Sequence, residues 1–202
     1  MKNPPFDQRL ARILVRPLVH TPVSPNHLTA LTLVLALAGG GLLAMGQDVA
    51  GAAVFVTARF LDHFDGELAR QSGRKSRFGY YFDYVSGGLG YAALFGGACF
   101  GLSAGVLGGW AIVLGMGGVV SAFLSMGLNL RLDVALGGAV DGTAVGYPGM
   151  AGFELEDGIY LLLPVAWLGW LAPFFVAAGI GAILYCLWTL ATVLRLRARW
   201  KV

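Results

Sequence analysis

The feature that most restricts the fold is a run of 37 residues without a charged side chain, from Gly158 to Leu194. A helix that crosses a bilayer needs roughly 20 mostly apolar residues. The run is too long for one such helix and short for two, so we expect a turn at Gly169, Trp170 and Pro173. Only 12% of the whole chain is charged, against roughly 25% in soluble domains. The sequence therefore predicts an all-α integral membrane protein.

Six apolar stretches are long enough to be spanning helices. They lie near residues 28–45, 50–71, 78–100, 106–129, 155–171 and 174–194. Before them, apolar residues recur at helical spacing with Arg9, Arg12 and Arg16 on the opposite side, a pattern typical of a helix that lies in a membrane interface. We therefore expect an interfacial, juxtamembrane amphipathic helix at residues 1–20, followed by a single domain of six transmembrane helices at residues 21–202.

The basic residues indicate the orientation. With six spans, every Lys and Arg except Arg59 falls on one face of the membrane, and the connections on the other face carry none. Because Lys and Arg favour the cytoplasmic side, we expect both termini in the cytoplasm and the protein in a plasma (inner) membrane. These bases are scattered along loops without a nucleic-acid-binding module around them, so the expected partners include membrane lipids and exclude nucleic acid.

Charged residues cluster inside the second and third predicted spans, where they are costly and usually functional. Asp62 and Asp65 are three residues apart and share a helical face, and Asp83 lies between Gly79 and Gly87 at spacings of four. A short basic loop joins the two spans as an antiparallel pair. The acidic faces can therefore meet near the cytoplasmic surface.

Three converging carboxylates would repel each other in a medium of low dielectric constant, and a divalent cation removes that repulsion. Oxygen ligands without a Cys or His cluster favour magnesium, manganese or calcium. Small residues beside the aspartates leave room for a ligand near the backbone. The pattern predicts a metal-dependent site for a phosphorylated substrate. Arg59, one turn before Asp62, either neutralises Asp62 or extends its charge toward the interface.

The charged segment resembles the signature of the CDP-alcohol phosphotransferases, integral membrane enzymes of phospholipid synthesis whose pattern is D-x2-D-G-x2-A-R-x8-G-x3-D-x3-D. Seven of the eight positions match, at the same spacing. The matching residues are Asp62, Asp65, Gly66, Ala69, Arg70, Gly79 and Asp83. The stretch "SPNHLT" at residues 24–29 is similar to the Pro-Asn-x-x-Thr that opens the first span of the family, which makes Asn26 and Thr29 possible binding residues.

The resemblance implies a reaction and a set of roles. A hydroxyl acceptor, a small polar or lipid alcohol, attacks the β-phosphorus of a CDP-alcohol donor such as CDP-diacylglycerol, and CMP leaves. The three aspartates would hold Mg²⁺ or Mn²⁺ against the pyrophosphate, in a site that faces the cytoplasm. Gly66, Ala69 and Gly79 would line the CDP pocket, and Arg70 would support it. The family also implies a homodimer.

The chain departs from the signature at its last position, where Gly87 replaces the aspartate usually assigned as general base. Loss of a general base typically costs ~10²–10⁴-fold. Glu154 and Asp157, at the mouth of the fifth predicted span, are candidate substitute bases; their alternative role is to interact with the dipole at a helix N-terminus. A metal ion could instead activate the acceptor. The alternatives to the transferase are a non-catalytic CDP-lipid binding or scaffold protein and a small cation transporter.

Overall fold

The computed structural model describes residues 6–135 and 155–199, and in these ranges the chain is helical and contains no strand. The all-α prediction is confirmed. The α-helices are α1 (Phe6–Leu14), α2 (Pro25–Ala44), α3 (Asp48–Ser72), α4 (Arg77–Ser103), α5 (Gly109–Ala135), α6 (Leu162–Trp167) and α7 (Leu171–Arg199). Two 3-10 helices lie at Arg16–Leu18 and Leu155–Leu161.

Four of these helices, α2, α4, α5 and α7, are long and apolar enough to cross a membrane. They correspond to the first, third, fourth and sixth predicted spans. Helix α3 has the length of a span, 25 residues, but its second half carries the charged cluster. The coarse prediction of a membrane protein thus agrees with the structure. A total of six spans would require that α3 and the segment before α7 also cross the membrane.

The fifth predicted span, 155–171, differs most from expectation. It consists of a 3-10 helix and the six-residue helix α6. Pro164 lacks the N–H that would bond back to residue 160, and it lies in the first turn of α6, where that loss is tolerated. Gly169, at φ 74°, ends the segment at the predicted turn, and α7 begins at Leu171. Hydropathy alone could not distinguish this broken segment from a continuous helix.

Helices α2, α3 and α4 form the centre of the fold, and α5 packs between α4 and α7. Glycines allow α2 to approach both neighbours closely. A Cβ at Gly39 would lie 2.9 Å from the backbone nitrogen of Phe55 in α3, and a Cβ at Gly97 would lie 2.9 Å from Cα of Gly40. Small residues permit such close helix contacts in membranes. This packing holds α2 against α3 and α4, the two helices that carry the charged cluster.

Replacing Gly97 with Ala should destabilise the protein, because the new Cβ would overlap the backbone of Gly40. Overpacking of this kind costs about 1–3 kcal/mol. Gly41→Ala is the matched control, since a Cβ there meets no atom within 4 Å. Thermal unfolding in detergent should show a lower midpoint for Gly97→Ala and an unchanged or higher one for Gly41→Ala. Equal midpoints would contradict the observed packing.

Candidate metal and nucleotide site

The three aspartates of the signature lie together where α3 ends and α4 begins. Asp62, Asp65 and Asp83 each offer a carboxylate oxygen, and these oxygens lie within 4.8 Å of one another. Gly73, at φ 70°, ends α3, and Ser76 caps α4 by accepting a hydrogen bond from the Gly79 N–H at 2.9 Å. The short connection makes the helices antiparallel, so residues 18 and 21 positions apart in sequence meet in space. Oxygen donors at this separation suit a hard divalent ion.

Asp65 is the buried member of the set and is held from two sides. The hydroxyl of Thr29 donates a hydrogen bond to its Oδ2, and the Gly66 N–H donates to its Oδ1. Thr29 lies in α2, which begins at Pro25 after the N-cap Ser24. The "SPNHLT" segment therefore starts a helix and brings its threonine to the acidic cluster. A hydrogen-bonded ligand carboxylate is typical of metal sites, where outer partners fix the ligand orientation.

Asp62 forms an ion pair with Arg59 one turn earlier in α3. The guanidinium Nη1 lies 2.9 Å from Asp62 Oδ2, and the guanidinium carbon lies 5.0 Å from the centre of the Tyr91 ring in α4. The other carboxylate oxygen, Oδ1, is buried and has no hydrogen-bond partner. Asp62 thus has one oxygen engaged with a cation and one left for a ligand.

The remaining residues of the signature surround the aspartates. A Cβ at Gly79 would lie 2.8 Å from Asn26 Oδ1, so α2 and α4 approach each other closely here. Gly79 belongs to the aspartate signature and Asn26 to the "SPNHLT" segment. A Cβ at Gly66 would lie 3.3 Å from Nη1 of Arg70. Arg70 is exposed and pairs with Glu67 Oε1 at 2.8 Å, a partner not anticipated from the sequence. Ala69 is partly buried beside it.

Gly87 follows Asp83 by one turn of α4, at the position where the signature has its last aspartate. A Cβ there would meet no atom within 4 Å. The structure therefore leaves open space where a fourth carboxylate would begin. The two candidate substitute bases cannot be compared with this position: Glu154 lies outside the described residues, and so does the side chain of Asp157, whose backbone is in the second 3-10 helix.

A second buried carboxylate, Asp133 in α5, was not found from the sequence. It is 2% exposed and accepts hydrogen bonds from the hydroxyls of Tyr80, at 2.7 Å, and Tyr84, at 2.8 Å. Both tyrosines belong to α4 and flank Asp83 on the neighbouring face. Their spacing of four residues indicates that the two tyrosines share a helical face. Nothing in the sequence indicates that residue 133 is their hydrogen-bond partner. The contact ties the segment of α4 that carries Asp83 to α5.

Asp133→Ala should lower the free energy of unfolding, because two phenol hydroxyls lose their acceptor. A polar group left without its partner in a buried setting costs about 1–3 kcal/mol. Tyr84→Phe supplies the control through a double-mutant cycle. Asp133→Ala should cost less in the Tyr84→Phe background than in the wild type, as measured by unfolding in detergent. Strict additivity would show that these residues do not interact.

A third carboxylate, Asp7, ties α1 to the helices of the site. Its Oδ2 lies 2.8 Å from Nε2 of His63 in α3 and accepts a hydrogen bond from the Tyr160 hydroxyl at 3.1 Å. His63 is adjacent to Asp62 in sequence. The second 3-10 helix, which contains Tyr160, is therefore placed beside the acidic segment of α3.

Comparison with known proteins shows to which family the chain with this aspartate cluster belongs. The profile of the CDP-alcohol phosphatidyltransferases matches residues 22–193, which include every residue of the aspartate cluster. The chain belongs to this family. Enzymes of this family act in phospholipid synthesis with a CDP-alcohol donor and a divalent metal ion, and the three aspartates of this chain are a group that could hold such an ion.

Two curated relatives are similar in sequence. The phosphatidylinositol phosphate synthase of Streptomyces avermitilis is 32% identical over 163 residues, which cover 74% of this chain and 66% of that protein. The bifunctional IPC transferase and DIPP synthase of Rubrobacter xylanophilus is 42% identical over 66 residues, which cover 33% of this chain and 15% of that protein. The chain therefore spans slightly less than two thirds of the first relative and a small part of the second.

Solved structures share the fold. The phosphatidylinositol phosphate synthase of Mycobacterium tuberculosis with CDP-DAG bound has a TM-score of 0.70 at 22% identity, with 92% of this chain and 94% of that chain covered. The same enzyme in complex with manganese and citrate has a TM-score of 0.69 at 22% identity, with 91% and 88% covered. The helical arrangement is thus common to both proteins over nearly their whole length.

Proposed function

We propose that this chain transfers the phosphatidyl group of CDP-diacylglycerol to a hydroxyl of an inositol phosphate, forming phosphatidylinositol phosphate and CMP. The observation that carries the proposal is the convergence of three carboxylate oxygens within 4.8 Å in a member of this family. The donor and acceptor follow the names of the similar proteins, which are phosphatidylinositol phosphate synthases. In the reaction, a bond forms between the acceptor oxygen and the lipid-linked phosphorus, the bond from that phosphorus to the CMP oxygen breaks, and the acceptor proton passes to a base.

Asp62, Asp65 and Asp83 are the proposed ligands of Mg²⁺ or Mn²⁺. When bound, the ion would neutralise charge on the pyrophosphate and on the departing CMP. The protein supports this with fixed ligands: Thr29 orients Asp65, and Arg59 orients Asp62. Preorganised groups of this kind do not need to reorganise during the reaction.

The proposed CDP pocket is lined by the small residues of the signature. Gly66, Ala69 and Gly79 belong to the same helices as the aspartates, and Asn26 of α2 lies against Gly79. A side chain at Gly79 would displace the Asn26 amide, so the close contact of these two residues depends on the glycine. Arg70, exposed at the end of α3, is the proposed cation next to this pocket.

Glu154 and Asp157 remain the proposed substitute bases in place of Gly87. The location of the second 3-10 helix supports this, because its Tyr160 and His63 of α3 both bind Asp7 Oδ2. Asp157 is three residues from Tyr160 in that 3-10 helix. Activation of the acceptor by the metal ion is the alternative and would not require either acid.

We further propose that α3 and the segment ending at Trp167 complete six membrane crossings, with both termini and the site on the cytoplasmic side of a plasma membrane. Support comes from the distribution of Lys and Arg in the sequence: with six crossings, all of them except Arg59 would fall on that side. Helix α1 would then lie at the interface, where its Ala11, and Val15 directly after it, pack against Phe64 and Leu68 of α3. A homodimer, as the family implies, is part of this proposal.

Product analysis tests the substrate assignment. Purified protein is incubated with CDP-diacylglycerol, Mn²⁺ and, separately, inositol phosphate, inositol, glycerol phosphate and serine, and the lipid products are identified by mass spectrometry. Phosphatidylinositol phosphate from inositol phosphate alone is the expected result. A different lipid product would change the proposed acceptor but would still show that the protein is a transferase. Tight binding of CDP-diacylglycerol without CMP from any acceptor would favour a non-catalytic binding protein.

A further inference from the structure

The aspartates of the proposed metal site come from two helices, two of them from α3 and Asp83 from α4. The first two are held relative to each other by their own helix, whereas the position of Asp83 depends on how α4 is rotated about its axis. We infer that Asp133 of α5 sets this rotation through the hydroxyls of Tyr80 and Tyr84, and so acts as a positioning residue for metal binding. The inference rests on the proposed metal site and concerns residues outside the aspartate signature.

Both tyrosines end on the same atom of Asp133. The Tyr80 hydroxyl donates a hydrogen bond to Oδ2 at 2.7 Å, and the Tyr84 hydroxyl donates to the same oxygen at 2.8 Å. The carboxylate is buried, so little water is available to replace either donor. A single hydrogen bond would let α4 pivot about it. Two long side chains that leave one helix a turn apart and meet at one oxygen restrain the rotation of the helix as well as its position.

The tyrosine face of α4 is next to the face that carries Asp83. At 3.6 residues per turn, Asp83 lies about 60° from Tyr80 and about 100° from Tyr84 around the helix axis. Side-chain groups lie about 5–6 Å from that axis, so a rotation of about 10° would move a carboxylate by about 1 Å. Metal–oxygen distances in well-formed sites vary by only about 0.2 Å. A small rotation of α4 would therefore take Asp83 out of place for an ion bound to α3.

Other positions in this part of α4 restrain its rotation less. Phe78, Tyr81 and Val85 are exposed. Gly79, which lies against Asn26 of α2, presents no side chain that could resist a rotation. The two tyrosines, whose hydroxyls reach across to α5, therefore hold this segment of α4 at a defined angle.

Helix α5 provides a fixed point for the contact. A Cβ at Gly115 would lie 2.9 Å from Sγ of Cys99, and a Cβ at Gly118 would lie 2.6 Å from Cδ1 of Phe95, so α5 packs tightly against the far half of α4. On its other side α5 packs against α7. Asp133 lies about 22 Å along α5 from Gly118. The close packing thus joins the two helices at one end, and the Asp133 contact joins them at the end that carries the aspartate cluster.

The experiment removes the two hydroxyls and keeps the rings, in the double variant Tyr80→Phe/Tyr84→Phe. The dissociation constant for Mn²⁺ is measured in detergent with CDP present, from the electron paramagnetic resonance signal of the free ion. CMP release from CDP-diacylglycerol is measured over a range of Mn²⁺ concentrations. Size-exclusion chromatography and thermal unfolding report whether each variant is folded.

Two matched controls each remove one tyrosine hydroxyl elsewhere. Tyr81→Phe changes an exposed tyrosine of the same helix. Tyr185→Phe removes the hydroxyl that accepts a hydrogen bond from the Asn129 amide at 3.0 Å, a contact that joins α5 to α7 and not to α4. The second control therefore weakens the attachment of α5 without releasing the tyrosines of α4.

We expect the dissociation constant for Mn²⁺ to rise about tenfold in the double variant, the lower end of the range for residues that orient metal ligands. It should be unchanged in both controls. CMP release by the double variant should return nearly to the wild-type rate at saturating Mn²⁺, because the bound ion then draws Asp83 into place. A purely structural contact would instead lower the midpoint of unfolding and leave the affinity of the folded protein for Mn²⁺ as it was.

Wild-type affinity for Mn²⁺ in a folded double variant would overturn the inference and leave the proposed function standing. An equal loss of affinity in Tyr185→Phe would also overturn it, because any loosening of α5 would then suffice. No binding of Mn²⁺ by the wild type would remove the metal site, and with it both the proposed function and the inference. If the double variant does not fold, Tyr84→Phe alone gives the same test, with a smaller rise expected.

Discussion

Asp65→Asn is expected to abolish metal-dependent CMP release, with a loss of at least about a hundredfold. The substitution keeps the size of the side chain and removes the negative charge that the ion requires. Asp65 is the buried aspartate of the cluster, and the Thr29 hydroxyl and the Gly66 N–H orient it. Loss of one preorganised group that stabilises charge in a transition state costs about 10²–10³-fold. The rate of CMP release at saturating Mn²⁺ measures the effect.

Asp48→Asn is the matched control for this substitution. Asp48 belongs to the same helix but lies at its opposite end, in the first turn of α3. Its replacement should leave CMP release and Mn²⁺ binding unchanged. If Asp65→Asn retained wild-type activity, or if both variants lost activity equally, the metal assignment would be wrong.

Gly87→Asp is expected to increase the rate of CMP release by about tenfold or more. The variant restores the residue that the family signature has at this position, and general base catalysis contributes about 10²–10⁴-fold. A new side chain fits, because no atom lies within 4 Å of a Cβ built at Gly87. The gain should appear in the rate at saturating acceptor, with little change in the affinity for CDP-diacylglycerol.

Gly87→Asn separates the effect of the base from that of the added volume. The asparagine occupies the same space as aspartate but does not accept a proton, so its rate should stay at or below that of the wild type. An unchanged rate with Gly87→Asp would indicate that another acid already serves as base. Glu154→Gln and Asp157→Asn would then identify it by the loss of activity.

The local part of this architecture could be predicted from the sequence because it depends on helical periodicity. Asp62 and Asp65 share a face at a spacing of three, and the short turn after Gly73 brings Asp83 to them. The apolar helices α2, α4, α5 and α7 were likewise visible as long uncharged stretches. Each of these features depends only on residues that are close together in the sequence.

Contacts between distant segments could not be predicted in the same way. Asp133 binds tyrosines about fifty positions earlier, and Asp7 binds His63 and Tyr160. Such pairs depend on how the helices pack, and the sequence contains no periodic signal for them. The broken segment before α7 was missed for a different reason: hydropathy records composition, whereas the break depends on Pro164 and Gly169.

The measurement that tests the central claim most directly is the release of CMP from CDP-diacylglycerol by the purified protein. It is made with inositol phosphate and Mn²⁺, and repeated without the acceptor, without the metal ion and with Asp65→Asn. The account predicts CMP and a matching amount of phosphatidylinositol phosphate only when protein, acceptor and metal ion are all present. Binding of CDP-diacylglycerol with no CMP under any condition, or CMP release that persists without a divalent ion, would contradict it.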